Sequence, residues 1–211
     1  MAICGHALQR GSYHRSRLRI VGLWTLCMSV TLSGCGETMQ DRAKISRHIE
    51  EIRGVAIENS GAKEGEKALR ELIAILKGDN NFASCQACDA LGELGPAAAP
   101  AVPDLIREAK SLRPFVSQDA VGAMAKLGPT AAPALDFLKE TVELAVKHDS
   151  YDLRSLYAVD FLGNVGPKAA NARLLLERGC RSSSYLLSER CKRALEKLDN
   201  VVGDGDAFKQ E

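Results

Sequence analysis

Three times along this chain a Gly-Pro pair closes a stretch of small and aliphatic residues, at Gly95-Pro96, Gly128-Pro129 and Gly166-Pro167. The pairs fall 33 and then 38 residues apart. Glycine readily takes the left-handed conformation that ends a helix, and proline just beyond it cannot continue one. Each pair therefore predicts a helix stop, and the blocks Ala87–Gly95, Ala120–Gly128 and Ala158–Gly166 align as the helices being stopped. An Ala/Pro-rich link follows each stop, and then a second apolar-periodic stretch. These carry Val102, Leu105, Ile106, Ala109 and Leu112, then Leu135, Leu138, Val142 and Ala145, then Leu174, Leu175 and Leu176. A period of this size signals repeated helix pairs, each of which needs its neighbours to cover an apolar face.

Flanking segments continue the helical pattern. Ile45, Ile49, Ile52 and Ala56 form one amphipathic stripe, and Leu69, Leu72, Ile73 and Leu76 another. Near the end, Leu187, Cys191, Ala194, Leu195 and Leu198 repeat the spacing, with Glu189, Arg190, Lys192, Arg193 and Glu196 outside, as expected of a polar-faced capping helix. No run of alternating Val, Ile and Thr bounded by turns occurs, so the expected class is all-α. Residues 200–211 read as a frayed, disordered tail.

The block Ala90-Leu91-Gly92-Glu93-Leu94-Gly95-Pro96, followed by Ala101-Val102-Pro103 and Leu105, resembles the HEAT repeat in its short bacterial form. The second copy, Ala123-Met124-Ala125-Lys126-Leu127-Gly128-Pro129 with Ala134-Leu135, is also similar. The third departs most, with Phe161 where Ala is expected and Asn171-Ala172-Arg173 where Ala-Val-Pro would fall. The likeness covers roughly residues 64–179, and it implies an α-solenoid of stacked helix pairs, expected here over 42–199 with capping helices. It further implies a scaffold for a protein partner rather than an enzyme. Gln118, Asp119, Arg154 and Tyr157 are the candidate partner-binding residues. Short repeats of this kind also resemble those of bilin lyases, which attach chromophores to antenna proteins; no acid–base cluster accompanies them here.

The first 34 residues hold Arg10, Arg15, Arg17 and Arg19, no acidic residue, and an apolar run from Ile20 to Leu32. A basic start, a short apolar core and small residues at the end predict a cleaved secretory signal, since such a run is too short to span a bilayer. Leu32-Ser33-Gly34-Cys35 resembles the lipobox of bacterial lipoproteins, in which the Cys becomes the acylated first residue. The resemblance implies lipidation of Cys35 and a place on the extracytoplasmic side of an envelope membrane. Gly36, in place of an Asp that would favour inner-membrane retention, leans towards the outer membrane. Residues 35–41 form a short linker, so the helical array is expected close to the membrane. The full chain balances 28 Lys and Arg against 27 Asp and Glu, and loss of the signal removes four Arg and no acid. A mildly acidic mature chain argues against a dedicated nucleic-acid binder.

Cys85-Gln86-Ala87-Cys88 is the one motif able to carry a reaction. A Cys pair near a helix start can have a depressed thiolate pKa. A thioredoxin-like site, however, needs a strand before the helix, and a haem-attachment motif needs His where Asp89 stands. The repeat register aligns Cys88 with Val121 and Val159, which makes it a small core residue; a local disulfide, redox work or metal work are the other readings. Cys180 and Cys191 could face each other across a helix pair, and export would permit a disulfide between them. Metal binding lacks ligands, with only His48 and His148 beyond the signal and no second Cys pair at ligand spacing. Ser182-Ser183-Ser184 reads as a supplier of helix caps, and no Gly-rich phosphate loop occurs. No cofactor or small-molecule substrate is implied.

Overall fold

A computed structural model describes the backbone of residues 38–206 and side chains through residue 200. The signal segment, Cys35 and Gly36 lie outside the described residues. The chain divides into two units, 1–43 and 44–211. Of the first, the described part is the start of helix α1, Met39–Glu58. Thr38 and Asp41 cap it reciprocally: the Thr38 hydroxyl donates to the Asp41 carboxylate at 2.7 Å, and the Asp41 N–H donates back at 3.2 Å.

In the second unit α1 continues and is followed by α2 (Lys63–Leu76), α3 (Asn81–Glu93), α4 (Val102–Ala109) and α5 (Pro114–Leu127). Then come α6 (Leu135–His148), α7 (Leu153–Asn164), α8 (Arg173–Gly179) and α9 (Tyr185–Asp206). Among the described residues there is no strand. The last helix runs to Asp206, past residue 200 where the sequence places the start of a tail; residues 207–211 lie outside the described residues.

The Gly-Pro stops are real. Gly95, Gly128 and Gly166 have φ of +58°, +55° and +71°, a region that other residues adopt only under strain. Each opens a seven-residue 3-10 segment, Gly95–Ala101, Gly128–Ala134 and Gly166–Ala172, with Pro in its first turn. Two alanines of each segment are fully buried: Ala98 and Ala101, Ala131 and Ala134, Ala169 and Ala172. This register corrects the third copy, in which Ala172, not Asn171, occupies the buried place of Ala101 and Ala134.

The helices form two layers. Helices α3, α5, α7 and α9 pack on one another in chain order, while α4, α6 and α8 pack behind them and successive 3-10 segments touch. The stripes read from sequence form the core: Ile49, Ile52 and Ala56, then Leu72 and Leu76, then Leu187, Cys191, Ala194 and Leu198 are buried. Two apolar assignments are corrected. Leu112 lies beyond the end of α4, where nothing packs on it, and is 99% exposed. Leu174 faces outward, so that α8, only seven residues long, buries Leu176 alone of its three leucines.

Local chemistry sets the remaining ends. Asn80 caps α3 by accepting from the Ala83 N–H at 3.0 Å. Asp152 and Ser155 form a reciprocal box at the start of α7. Ser184 accepts from Leu187 N–H to begin α9, as the serine run predicts, while Ser182 and Ser183 donate to Asp149, the left-handed residue that ends α6. Arg113 draws the start of α5 onto the end of α2, donating to Gly78 O at 2.8 Å, Leu76 O at 3.2 Å and the Glu108 carboxylate.

Candidate functional site

The repeat places the same positions of successive helices side by side. Gln86, Asp119 and Tyr157 are equivalent, as are Asp89, Gly122 and Asp160, and Glu93, Lys126 and Asn164. Within one helix these positions are three and seven residues apart, hence on one face. On α3, α5, α7 and α9 that face borders a groove of about 450 Å³. Asp89, Asp119 and Lys126 stand on one side, and Tyr157, Asp160, Arg190, Arg193 and Lys197 on the other.

Small residues and polar ties hold the groove open. Gly122 has no side chain, and a Cβ there would sit 3.4 Å from the Tyr157 ring, so the ring lies against α5. Asn164 donates to Ala125 O at 2.8 Å across the α5–α7 seam, and Lys197 donates to Asn164 Oδ1 at 2.7 Å. Lys126 pairs with Asp89 at 3.2 Å, and Arg190 pairs with Asp160. Three charged groups remain without an ion-pair partner among the described residues, Asp119, Arg193 and Lys197.

Burial sets the charge states here. Asp119 is raised above the usual carboxylate range by burial and by repulsion from Asp89, while a hydrogen bond from the Cys85 thiol pulls it back. Asp160 is also raised by burial, against the attraction of Arg190. The Cys85 thiol is pushed up to about 12 by burial and by its bond to Asp119. Burial pushes Cys88 up further, with Asp119 and Cys85 adding to it. The helix-start position therefore does not produce a thiolate. Desolvation and two neighbouring carboxylates outweigh the helix dipole.

The candidate partner-binding residues separate. Asp119 and Tyr157 meet in the groove. Arg154 lines another cavity, of about 440 Å³, between α6 and the start of α7, and its buried Nε has no hydrogen-bond partner among the described residues. Gln118 is half-buried on α5 and belongs to neither lining. Asp89, Asp160, Asn164, Arg190, Arg193 and Lys197 were not singled out from sequence, although extending the register by three and seven residues from Tyr157 reaches Asp160 and Asn164.

Cys180 and Cys191 are free thiols in the structure, as are Cys85 and Cys88. The Cys191 sulfur is turned onto the backbone of Gly179 instead of being bonded to Cys180. Among the described residues no group of three or more His, Cys, Asp or Glu could hold a metal ion, and no helix is long and apolar enough to cross a membrane. No family model, curated protein or solved structure matches this chain.

Proposed function

We propose that this chain is a membrane-anchored extracytoplasmic lipoprotein whose helices form a short HEAT-like α-solenoid that binds a protein partner. One observation carries the reading: a polar groove continues across four successive parallel helices, with the unpaired charge of Asp119 on one side and those of Arg193 and Lys197 on the other. Asp119 is half-buried, and a basic group of a bound partner would pair its carboxylate there. The chain offers no catalytic constellation there. The groove's charges suit a polypeptide segment carrying both a basic and an acidic residue, held by many modest contacts.

The anchor half of the proposal rests on the Arg-rich start and on Leu32-Ser33-Gly34-Cys35. Intact mass of the protein from membranes of its host tests it, beside a Cys35→Ala variant. Loss of residues 1–34 with added acyl mass, absent in the variant, supports the anchor; an unmodified full-length mass overturns it. A photo-crosslinking residue at Tyr157 tests the groove. One stoichiometric adduct, lost on Asp119→Lys and Arg193→Glu substitution, supports the scaffold. An adduct pattern unchanged by both substitutions overturns the groove as the binding site.

A further inference from the structure

The chain passes between its two layers at residues 77–80, 110–113, 149–152 and 180–184. These four connections gather at one edge, because α3, α5, α7 and α9 run parallel. Lys126 meets Asp89 and Asn164 meets Ala125, and along the last pair Arg190 meets Asp160 while Lys197 meets Asn164, so residue numbers rise together on neighbouring helices. Neighbouring connections are tied directly, by Arg113 to Gly78 and by Ser182 and Ser183 to Asp149.

This edge carries the exposed aromatic side chains of the described residues. Phe115 is 71% exposed, Tyr185 79% and Tyr151 48%, and Leu112, Leu153 and Leu186 stand beside them. Phe115 and Leu153 occupy equivalent places at the starts of α5 and α7, so the exposure recurs with the repeat. Val55, Ile57 and Leu174 are exposed elsewhere, but no aromatic accompanies them. The same connections and the helix ends beside them carry Lys110, Lys147 and Arg181, with Asp79, Asp149 and Asp152, while Lys77 and Arg113 are engaged with Asp104 and Glu108. Aromatic rings with basic neighbours are the composition of a surface that meets phospholipid headgroups.

The direction of α1 argues for lipid over another protein. Ser46 faces Gln86 and Arg53 pairs with Glu93, so α1 is parallel to α3 and the chain comes into the second unit, at Lys44, on this same edge. Cys35 lies nine residues upstream of Lys44, a reach of at most about 30 Å. We infer that the edge formed by Leu112, Phe115, Tyr151, Leu153, Tyr185 and Leu186 rests on the headgroup layer of a phospholipid membrane. This rests on the reading of Cys35 as an acylated anchor. Acylation alone would leave the helical unit free to tumble on a short tether; the apolar edge fixes which face meets the membrane and turns the groove sideways to it.

Fluorescence quenching tests the inference on the full chain, taken from host membranes into vesicles of phosphatidylethanolamine and phosphatidylglycerol with brominated acyl chains. A Trp24→Phe background leaves each introduced tryptophan as the sole reporter, since the chain has one Trp. Phe115→Trp is expected to lose intensity and shift to the blue on these vesicles. Lys168→Trp, on the 3-10 segments at the opposite edge, is expected to do neither. Equal quenching at both positions overturns the inference. So does an unquenched Trp at 115 in a protein shown by mass to be acylated and vesicle-bound, which leaves the anchor standing. An unquenched Trp at 115 that is shielded from aqueous iodide assigns the edge to a protein partner and overturns lipid contact. If mass shows no acyl group, the anchor fails on its own, and the unacylated chain added to the same vesicles decides the edge: quenching at 115 supports it and none overturns it.

Discussion

The sulfur of Cys191 lies 2.5 Å from the point that a Cβ on Gly179 would occupy, so the last residue of α8 is held against α9 by the absence of a side chain. The side chain of Val146 closes the same space at 3.2 Å. Gly179→Ala must push one of them aside, and overpacking of this kind costs about 1–3 kcal/mol. Urea denaturation of the single variant and of Gly179→Ala with Cys191→Ala measures it. The alanine is expected to cost less when the sulfur is gone; equal costs would show that the sulfur is not the obstacle.

Arg113 and Glu108 form the most buried ion pair at the seam between the first and second repeats, with side-chain exposures of 25% and 8%. Arg113 also satisfies carbonyls at the end of α2. Arg113→Met leaves Glu108 with only the more exposed Arg107 as its partner, and loss of the charge-assisted bonds of Arg113 is expected to destabilise by about 1.5–3 kcal/mol. Arg113→Met with Glu108→Leu is expected to recover most of the loss. Chemical denaturation of both variants decides the matter, and a double variant no better than the single one would locate the cost in the α2 carbonyls instead.

Asp119 has a raised pKa through burial, so the unfolded chain releases its proton before the folded one does. Its contribution to stability is therefore present below the ordinary Asp value and is lost as pH rises through the folded value. Asp119→Asn is expected to be more stable than wild type at neutral pH, with the gap closing towards pH about 3. Thermal melts across that range read the difference. A variant less stable than wild type at neutral pH would mean that the bond from Cys85 outweighs the burial of the charge.

Asp149 behaves in the opposite sense. Hydrogen bonds from Ser182 and Ser183 lower its pKa, so its stabilising effect is present above the ordinary Asp value and is lost as pH falls through the folded value. Asparagine tolerates the φ of +47° at this residue. Asp149→Asn is expected to lose stability at neutral pH and to match wild type in acid. A pH-independent difference in thermal melts would point to backbone geometry instead.

Cys85, Cys88, Cys180 and Cys191 are all shifted upward, chiefly by burial. Iodoacetamide at pH 8 is expected to label none of them quickly in the folded protein and all four after denaturation, as read by peptide mass. Fast labelling of Cys85 alone would restore a thiol-based reaction to consideration.

Helix punctuation was legible because it depends on local rules. Gly95, Gly128 and Gly166 each need a positive φ, and the alanines that follow are small because successive segments touch. The face of each helix that borders the groove was half legible: Asp119 and Tyr157 share a register position, but Arg154, one turn earlier, is drawn to the α6 side. That choice depends on how far α6 extends, which no local pattern encodes. The exposure of Leu112 was hidden for a related reason. Its helical spacing from Leu105 is sound, but α4 ends at Ala109 and Arg113 turns the chain away. The bond between Cys85 and Asp119 joins separate helices and could not be read before the seam was known.

The 3-10 segments are seven residues long in all three copies, whereas α4, α6 and α8 have eight, fourteen and seven residues. One margin of the stack is thus of constant gauge and the other of variable gauge. A change in the length of α6 or its connection leaves the alanine seam untouched, and a peptide tag grafted at Ser150 should be accepted by the fold where the same tag at Ala131 would wedge the copies apart.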